Sequence, residues 1–232
     1  MGVIQFKFDI SAPDYPGAEV LDCTSMEGVR RYCDPASEAV LKAKIAGRYG
    51  GVHLLGSGDY HYLTKLITDS VSEPFELLLF DHHPDMQAPA FEGMLSCGGW
   101  LRDMLRDNPL LSAVKIFGIN PALRGETEGW GARVQVYAEG DTILPPEPQK
   151  DSLPVYISID KDVFCGCVAR TSWDQGSMTM PQLEGILPLF TKGRRILGAD
   201  ICGSVSLSEG ALAGDCTLNH LTDNHLIKLL NL

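Results

Sequence analysis

The sequence predicts an α/β protein with a mostly parallel sheet covered by helices on both faces. Short apolar runs alternate with stretches of helix formers along the chain. The connections between the runs are a dozen residues or more, the length a parallel crossover needs. The run Leu77-Leu78-Leu79-Phe80 has no polar alternation, which suits a strand buried on both faces. It leads directly into Asp81-His82-His83-Pro84-Asp85, at the strand end where open α/β sheets keep their ligands.

Residues 3–10 and 19–24 read as strands, separated by the turn-rich stretch 11–17. Residues 35–46 are rich in helix formers and stop at Gly47. A short buried strand at 52–55 runs into Gly56-Ser57-Gly58-Asp59-Tyr60-His61, and a helix follows over 61–71. The strand at 75–81 comes next, then a loop from Met86 to Cys97 and a helix over 100–106 closed by Asn108-Pro109. Residues 114–119 form another strand; 121–130 read equally as loop or short helix; 134–137 alternate like a strand near an edge. Leu144-Pro145-Pro146-Glu147-Pro148 is the most linker-like segment, too short to separate domains. Residues 155–162 read as a strand ending in two acids. A helix opens at 180 with Pro181 in its first turn. A last strand covers 195–201, and 215–231 reads as an amphipathic helix. With no internal repeat and no low-complexity tract, residues 1–232 read as one domain.

Of 232 residues, 44% are hydrophobic and 21% charged, enough to build a substantial core. The formal net charge of −11 argues against nucleic-acid and acidic-membrane partners, since phosphate binding needs basic patches. A small molecule is the expected partner, and a homo-oligomer is compatible with this composition. No apolar run reaches the roughly 20 residues of a membrane span. The N-terminus alternates like a strand rather than a signal peptide. Seven scattered cysteines without a Cys-x-x-Cys pair argue against a zinc ribbon and point to reduced thiols in a cytoplasm.

Three strand-to-loop junctions carry possible metal ligands: Gly58-Asp59-Tyr60-His61, Asp81-His82-His83-Pro84-Asp85 and Ser158-Ile159-Asp160-Lys161-Asp162. In a parallel sheet all strand C-termini lie along one edge, so the three converge. At period 2, Asp81, His83 and Asp85 share a side, as do Asp160 and Asp162, while His82 points away as a hydrogen-bonded structural histidine. Four carboxylates and two imidazoles exceed a tetrahedral zinc site. An oxygen-rich set with some imidazole suits Mn²⁺, and shared carboxylates allow two ions roughly 3.5 Å apart.

Asp81-x-His83-x-Asp85 and Ser158-x-Asp160-x-Asp162 resemble the two signature motifs of the arginase/agmatinase (ureohydrolase) family. Gly56-Ser57-Gly58-Asp59-Tyr60-His61 resembles that family's Gly-Gly-Asp-His motif with one residue inserted. The resemblance runs over residues 50–205. It implies a three-layer α/β/α arginase/deacetylase-like fold and two Mn²⁺ ions, other divalent ions being alternatives. It further implies that Asp81 and Asp160 bridge the ions, that His61 and Asp85 complete one, and that His83 and Asp162 complete the other. Asp85 would also accept a hydrogen bond from the hydroxide between them. The implied activity is hydrolysis of a guanidinium or related C–N bond.

The chain departs from the family at two positions. The loop after Asp85 has no His for proton transfer; Cys97 falls near that place. The Glu that meets the substrate guanidinium is replaced by Gly203. Trp173 and Asp174, in the loop after Asp162, are candidate substrate contacts, Asp174 as a substitute for the missing Glu; a surface turn with a helix cap is the competing reading. For His61, the competing reading makes Asp59 the ligand or a cap. Cys165 and Cys167 read as site-lining thiols or as buried free cysteines. His53, His220 and His225 lack clustered partners and read as structural, the latter two on a solvated helix face. The expected function is a binuclear-manganese hydrolase of a small guanidino, amidine or amide compound. A deacetylase-like amidohydrolase and a non-catalytic metal-bound binding protein are the alternatives.

Overall fold

In the computed structural model of the protein, which describes residues 2–88, 90–144 and 152–230, the apolar runs assemble into one sheet of eight strands. These are β1 (Val3–Lys7), β2 (Glu19–Asp22), β4 (Val52–Leu54), β5 (Phe75–Phe80), β7 (Leu111–Ile119), β8 (Val134–Ala138), β9 (Val155–Asp160) and β10 (Ile196–Cys202). Their order is β2-β1-β4-β10-β9-β5-β7-β8, and every neighbouring pair is parallel. A small antiparallel pair, β3 (Tyr32–Cys33) and β6 (Leu95–Ser96), stands apart from it.

The sheet lies between two layers of helices. α1 (Pro35–Ile45), α2 (Leu63–Thr68) and α3 (Trp100–Asp107) place Leu41, Leu66, Trp100 and Met104 in one core with Leu77, Leu79 and Tyr156. α4 (Met180–Thr191) and α5 (Ala213–Leu229) place Leu183, Phe190 and Leu226 in a second core with Leu78, Phe80 and Ile159. Successive strand residues point to opposite faces, so the unbroken run Leu77–Phe80 feeds both cores and is fully buried.

Register sets the functional edge. Phe80 pairs with Ile159, so Asp81 and Asp160 follow side by side. Cys202 on β10 pairs with Asp160. β4 and β5, consecutive in the main sheet, are held apart by β9 and β10, which enter later in the chain. Such an interruption of strand order opens a crevice at the carboxyl edge.

Several expectations change. The strands at 3–10 and 19–24 end at Lys7 and Asp22. The expected helix over 61–71 is shorter, being α2 after a 3-10 turn at Gly58–Tyr60. The loop from Met86 to Cys97 contains β6, whose partner β3 carries too few residues for a periodic signal. Residues 121–130 hold a 3-10 turn, Pro121–Thr127. Pro145 to Pro148 of the linker-like segment lie outside the described residues. α5 does not turn an apolar face inward throughout: it buries Asn219, Thr222 and Asp223 with Leu226. Asn219 and Thr222 bond backbone carbonyls of the 168–170 loop, and Asp223 accepts from Lys161 and Tyr15. Cys165 and Cys167 are a disulfide rather than reduced thiols; the single residue between them allows a Cα separation of 5.4 Å, within disulfide range. The other five cysteines are free. Among the described residues no helix is long and apolar enough to cross a membrane.

Candidate metal centre

β5 ends at Phe80 and β9 at Asp160, so the acids beyond them are arranged by turns rather than by strand alternation. Both motifs use the same device. Asp81 Oδ1 accepts the His83 backbone N–H at 2.6 Å, and Asp160 Oδ1 accepts the Asp162 N–H at 2.9 Å. An aspartate that closes a turn on the amide two residues on is a local preference of this side chain. In each case it folds the second ligand back over the strand end. Asp85 completes the first turn with φ of +49°, in the left-handed region. The period-2 expectation of one-sidedness is therefore met in outcome but by a different geometry.

His61 follows the 3-10 turn and stands at the centre of the cluster. Its Nδ1 lies 3.2 Å from Asp81 Oδ2, 3.0 Å from Asp85 Oδ2 and 3.5 Å from Asp160 Oδ2. Its Nε2 lies 2.9 Å from Ser158 Oγ, which donates to Asp200 Oδ1 at 2.6 Å. His83 Nδ1 lies 2.8 Å from Asp162 Oδ2 and 3.8 Å from Asp81 Oδ1. Asp85 Oδ2 accepts the indole N–H of Trp100 at 2.6 Å. The cluster forms three groups whose ligand atoms lie within 4.8 Å of one another: His61, Asp81 and Asp85; Asp81, His83 and Asp162; His61, Asp160 and Cys202. Asp81 belongs to two of them. Asp81 Oδ2 is buried without a hydrogen-bond partner. A buried carboxylate oxygen left without a donor, among three further acids, is what a cation-binding set requires. The residues fit divalent ions.

The electrostatics agree. Burial, then the charges of Asp162 and Asp85, holds the Asp81 carboxyl well above its ordinary range. Burial and Asp162 push Asp160 up to about 6. Burial opposes the charged form of His83, but the bond to Asp162 and the surrounding acids outweigh it and raise the imidazole to about 10. His61 is likewise raised, against burial, by Cys202, Asp81 and Asp85.

No protein-family model matches the chain. An uncharacterized protein of Thermotoga maritima is 33% identical over 194 residues, covering 80% of this chain and 71% of that one. The chain belongs to the family of that protein. Proclavaminate amidino hydrolase from Streptomyces clavuligerus is similar in structure with a TM-score of 0.67 and 16% identity, over 99% of this chain and 90% of that one. Formimidoylglutamase from Bacillus subtilis gives a TM-score of 0.66 at 13% identity, over 98% and 85%. The fold is arginase-like. At these identities the structural likeness carries the fold alone.

In this arginase-like chain the six expected ligands, His61, Asp81, His83, Asp85, Asp160 and Asp162, meet at one edge. Asp59 does not join them. It is buried and held by Arg30, Arg31 and the Trp173 indole. Trp173 and Cys97 line the cavity of about 260 Å³ that opens on the cluster. Burial, then Asp85, pushes the Cys97 thiol up to about 12, away from the range of a base at neutral pH. Asp174 points elsewhere: its side chain is 75% exposed and lies 3.7 Å from His82. It is not among the residues that line the cavity. His82 points away from the cluster as expected. Its ring sits between Asp174 and Glu139, each 3.7 Å away, too far to hydrogen-bond. His53 is structural, its ring nitrogens meeting the Ala199 and Arg48 carbonyls. His225 is exposed and pairs with Glu184, whereas His220 is half-buried against Tyr15 instead of solvated.

Sequence reading missed Cys202, Trp100, Arg31 and the bonding roles of Ser158 and Asp200. Cys202 had a usable signal, since it follows Asp200 at strand period. Trp100 and Arg31 come from a helix and a loop whose approach to the cluster has no local signature.

Proposed function

We propose that the protein is a hydrolase with a binuclear manganese centre, acting on a C–N bond of a small guanidino, amidine or amide compound. The observation that carries this reading is the convergence of His61, Asp81, His83, Asp85, Asp160 and Asp162, with Asp81 common to two ligand groups. An oxygen-rich donor set with two imidazoles favours a hard ion over tetrahedral zinc. The arginase-like fold and the name of the amidino hydrolase among its structural neighbours support the bond type. A pair of divalent ions supplies the Lewis acidity that activates water at neutral pH.

The chain's own residues do the rest. Asp85 Oδ2 is held by Trp100, and Oδ1 makes no hydrogen bond among the described residues. Oδ1 is thus the oxygen free to accept a hydrogen bond from the attacking water. The Ser158–Asp200 pair holds His61 by its Nε2 and leaves Nδ1 facing the acids. Trp173, packed against Gly58, walls the cavity on one side and limits it to a small substrate.

Metal content after reconstitution with Mn²⁺ is the direct test, followed by ammonia and urea release from a panel of guanidino, amidine and amide compounds. About two ions per chain are expected. Asp160→Ala should lose both metal and turnover; retained metal would overturn the assignment of Asp160, and a loaded protein without turnover on the panel would favour a binding role.

A further inference from the structure

We infer that Arg31 receives a carboxylate of the substrate, so that the compound hydrolysed is a small carboxylic acid whose scissile carbon belongs to an uncharged amide or ureide. This rests on the hydrolase reading above and narrows its substrate class.

Three observations lead there. First, a guanidinium has no place to dock. Gly203, where the resemblance would place a Glu, has φ of +86°, and a Cβ there would stand 2.3 Å from Asp160 Oδ1 and 2.8 Å from Lys161 N. A side chain there would displace Asp160 and strain the backbone. Asp174 is exposed beside His82 and is not among the residues that line the cavity. The acids among the described residues that line the cavity are Asp81, Asp85, Asp160 and Asp162, the ligands of the proposed metal centre.

Second, among the described residues that line the cavity, Arg31 is the one arginine and there is no lysine. Its side chain is 56% exposed and stands at the rim beside Trp173. A cationic substrate would meet like charge there, and an anionic one would be attracted.

Third, Arg31 is held in place. Its φ is +62°, the left-handed region that a non-glycine residue seldom adopts and that concentrates at ligand sites. The conformation is kept by its backbone: the N–H donates to Asp59 O at 3.1 Å, and its carbonyl accepts from Cys97 N at 2.8 Å. The side chain is anchored by Nε to Asp59 Oδ1 at 3.1 Å, with its guanidinium carbon 5.1 Å from the centre of the Trp173 ring. The two terminal nitrogens make no bond to any described residue. A guanidinium fixed through Nε and its face, with the fork end free, is arranged for bidentate contact with a carboxylate. Neutralising Asp59 does not account for it, because Asp59 already takes Arg30 Nε on Oδ2 at 2.7 Å and the Trp173 indole on Oδ1 at 3.1 Å.

The test is equilibrium binding by calorimetry, on the Mn²⁺-loaded and on the metal-free chain. The probes are N-carbamoylglycine, its uncharged carboxamide and methylguanidinium. The loaded wild type should bind N-carbamoylglycine at least about tenfold more tightly than the carboxamide, and methylguanidinium most weakly. Arg31→Gln should erase that preference while changing carboxamide binding less than about twofold, and Arg31→Lys should keep part of it. Melting curves and metal content of both variants control for folding. A preference that survives Arg31→Gln would place the carboxylate on the metals and overturn the inference. So would equal binding of the acid and the carboxamide, tighter methylguanidinium binding, or no binding of any probe. Failure of the hydrolase reading shows separately as absent metal uptake, and the metal-free arm still reports whether Arg31 selects the carboxylate.

Discussion

Ser158 Oγ stands 2.9 Å from His61 Nε2. Because the same hydroxyl donates to Asp200, it can only accept from the imidazole, so the proton of a neutral His61 sits on Nε2 and Nδ1 presents its lone pair to Asp81 and Asp85. A partner on the far nitrogen typically changes metal affinity by about 10–100-fold. Ser158→Ala should therefore weaken Mn²⁺ binding by about that factor while leaving the fold intact. Competition with a calibrated chelator measures it; unchanged affinity would remove Ser158 from the site's support.

Gly203 is enclosed by Asp160 and Lys161 at a positive φ. Gly203→Ala should cost about 1–3 kcal/mol in urea unfolding and lower metal content by displacing Asp160 Oδ1. Gly203→Glu should lose metal rather than gain hydrolysis of guanidino compounds. A Glu variant that keeps full metal content and cleaves such compounds would show that this backbone can move.

Trp100 donates to Asp85 and packs without exposure in the core. Trp100→Phe keeps most of the ring and removes the donor. The loss should be about 1.5–3 kcal/mol of stability, as for a hydrogen bond to a charged group. Turnover should fall further than metal content, because the freed carboxylate no longer has one orientation. A drop confined to stability would make Trp100 a packing residue only.

Lys161 lies between two ligands and is fully buried, with Nζ 2.5 Å from Asp223 Oδ1 on α5. Removing one member strands the other. Lys161→Met should destabilise the protein by about 3–5 kcal/mol, and Lys161→Met with Asp223→Leu should recover much of that loss. Thermal melts of the two variants decide it; equal losses would mean the pair is not coupled.

Metal loading should depend on pH with a definite sign. His83 is raised to about 10 and Asp160 to about 6, so ligation must displace a proton from His83 at neutral pH and from Asp160 only near and below pH 6. Uptake of Mn²⁺ should release protons, and affinity should rise between about pH 6 and 9. Stability without metal runs the other way. A folded-state pKa above the unfolded one stabilises fully below the unfolded value, and the gain is lost as pH rises through the folded value. For His83 that window runs from 6.5 to about 10. Calorimetry in buffers of different ionisation enthalpy, with melts of the metal-free protein across that range, checks both. Uptake without proton release would contradict the cluster's charge state.

The apolar runs alone determined the layer architecture, because a strand buried on both faces needs no partner to be recognised and Leu77–Phe80 has no polar side to show. The two Asp motifs also determined the ligand types, since each lies at a strand end and carries its own turn-closing aspartate. The tertiary structure decided everything that depends on approach from elsewhere. Register between β5, β9 and β10 brought Asp81, Asp160 and Cys202 together. The 3-10 turn absorbed the residue inserted before His61 and delivered its ring to the acids, while Asp59, fully buried, turned away from them to two arginines. Trp173 entered the cavity and its neighbour Asp174 did not, a difference of one residue in a loop that has no period to read. Arg31 carries no motif at all. Its place at the cavity rim follows from a left-handed backbone held by Asp59 and Cys97, contacts between segments far apart in the chain that no local pattern encodes.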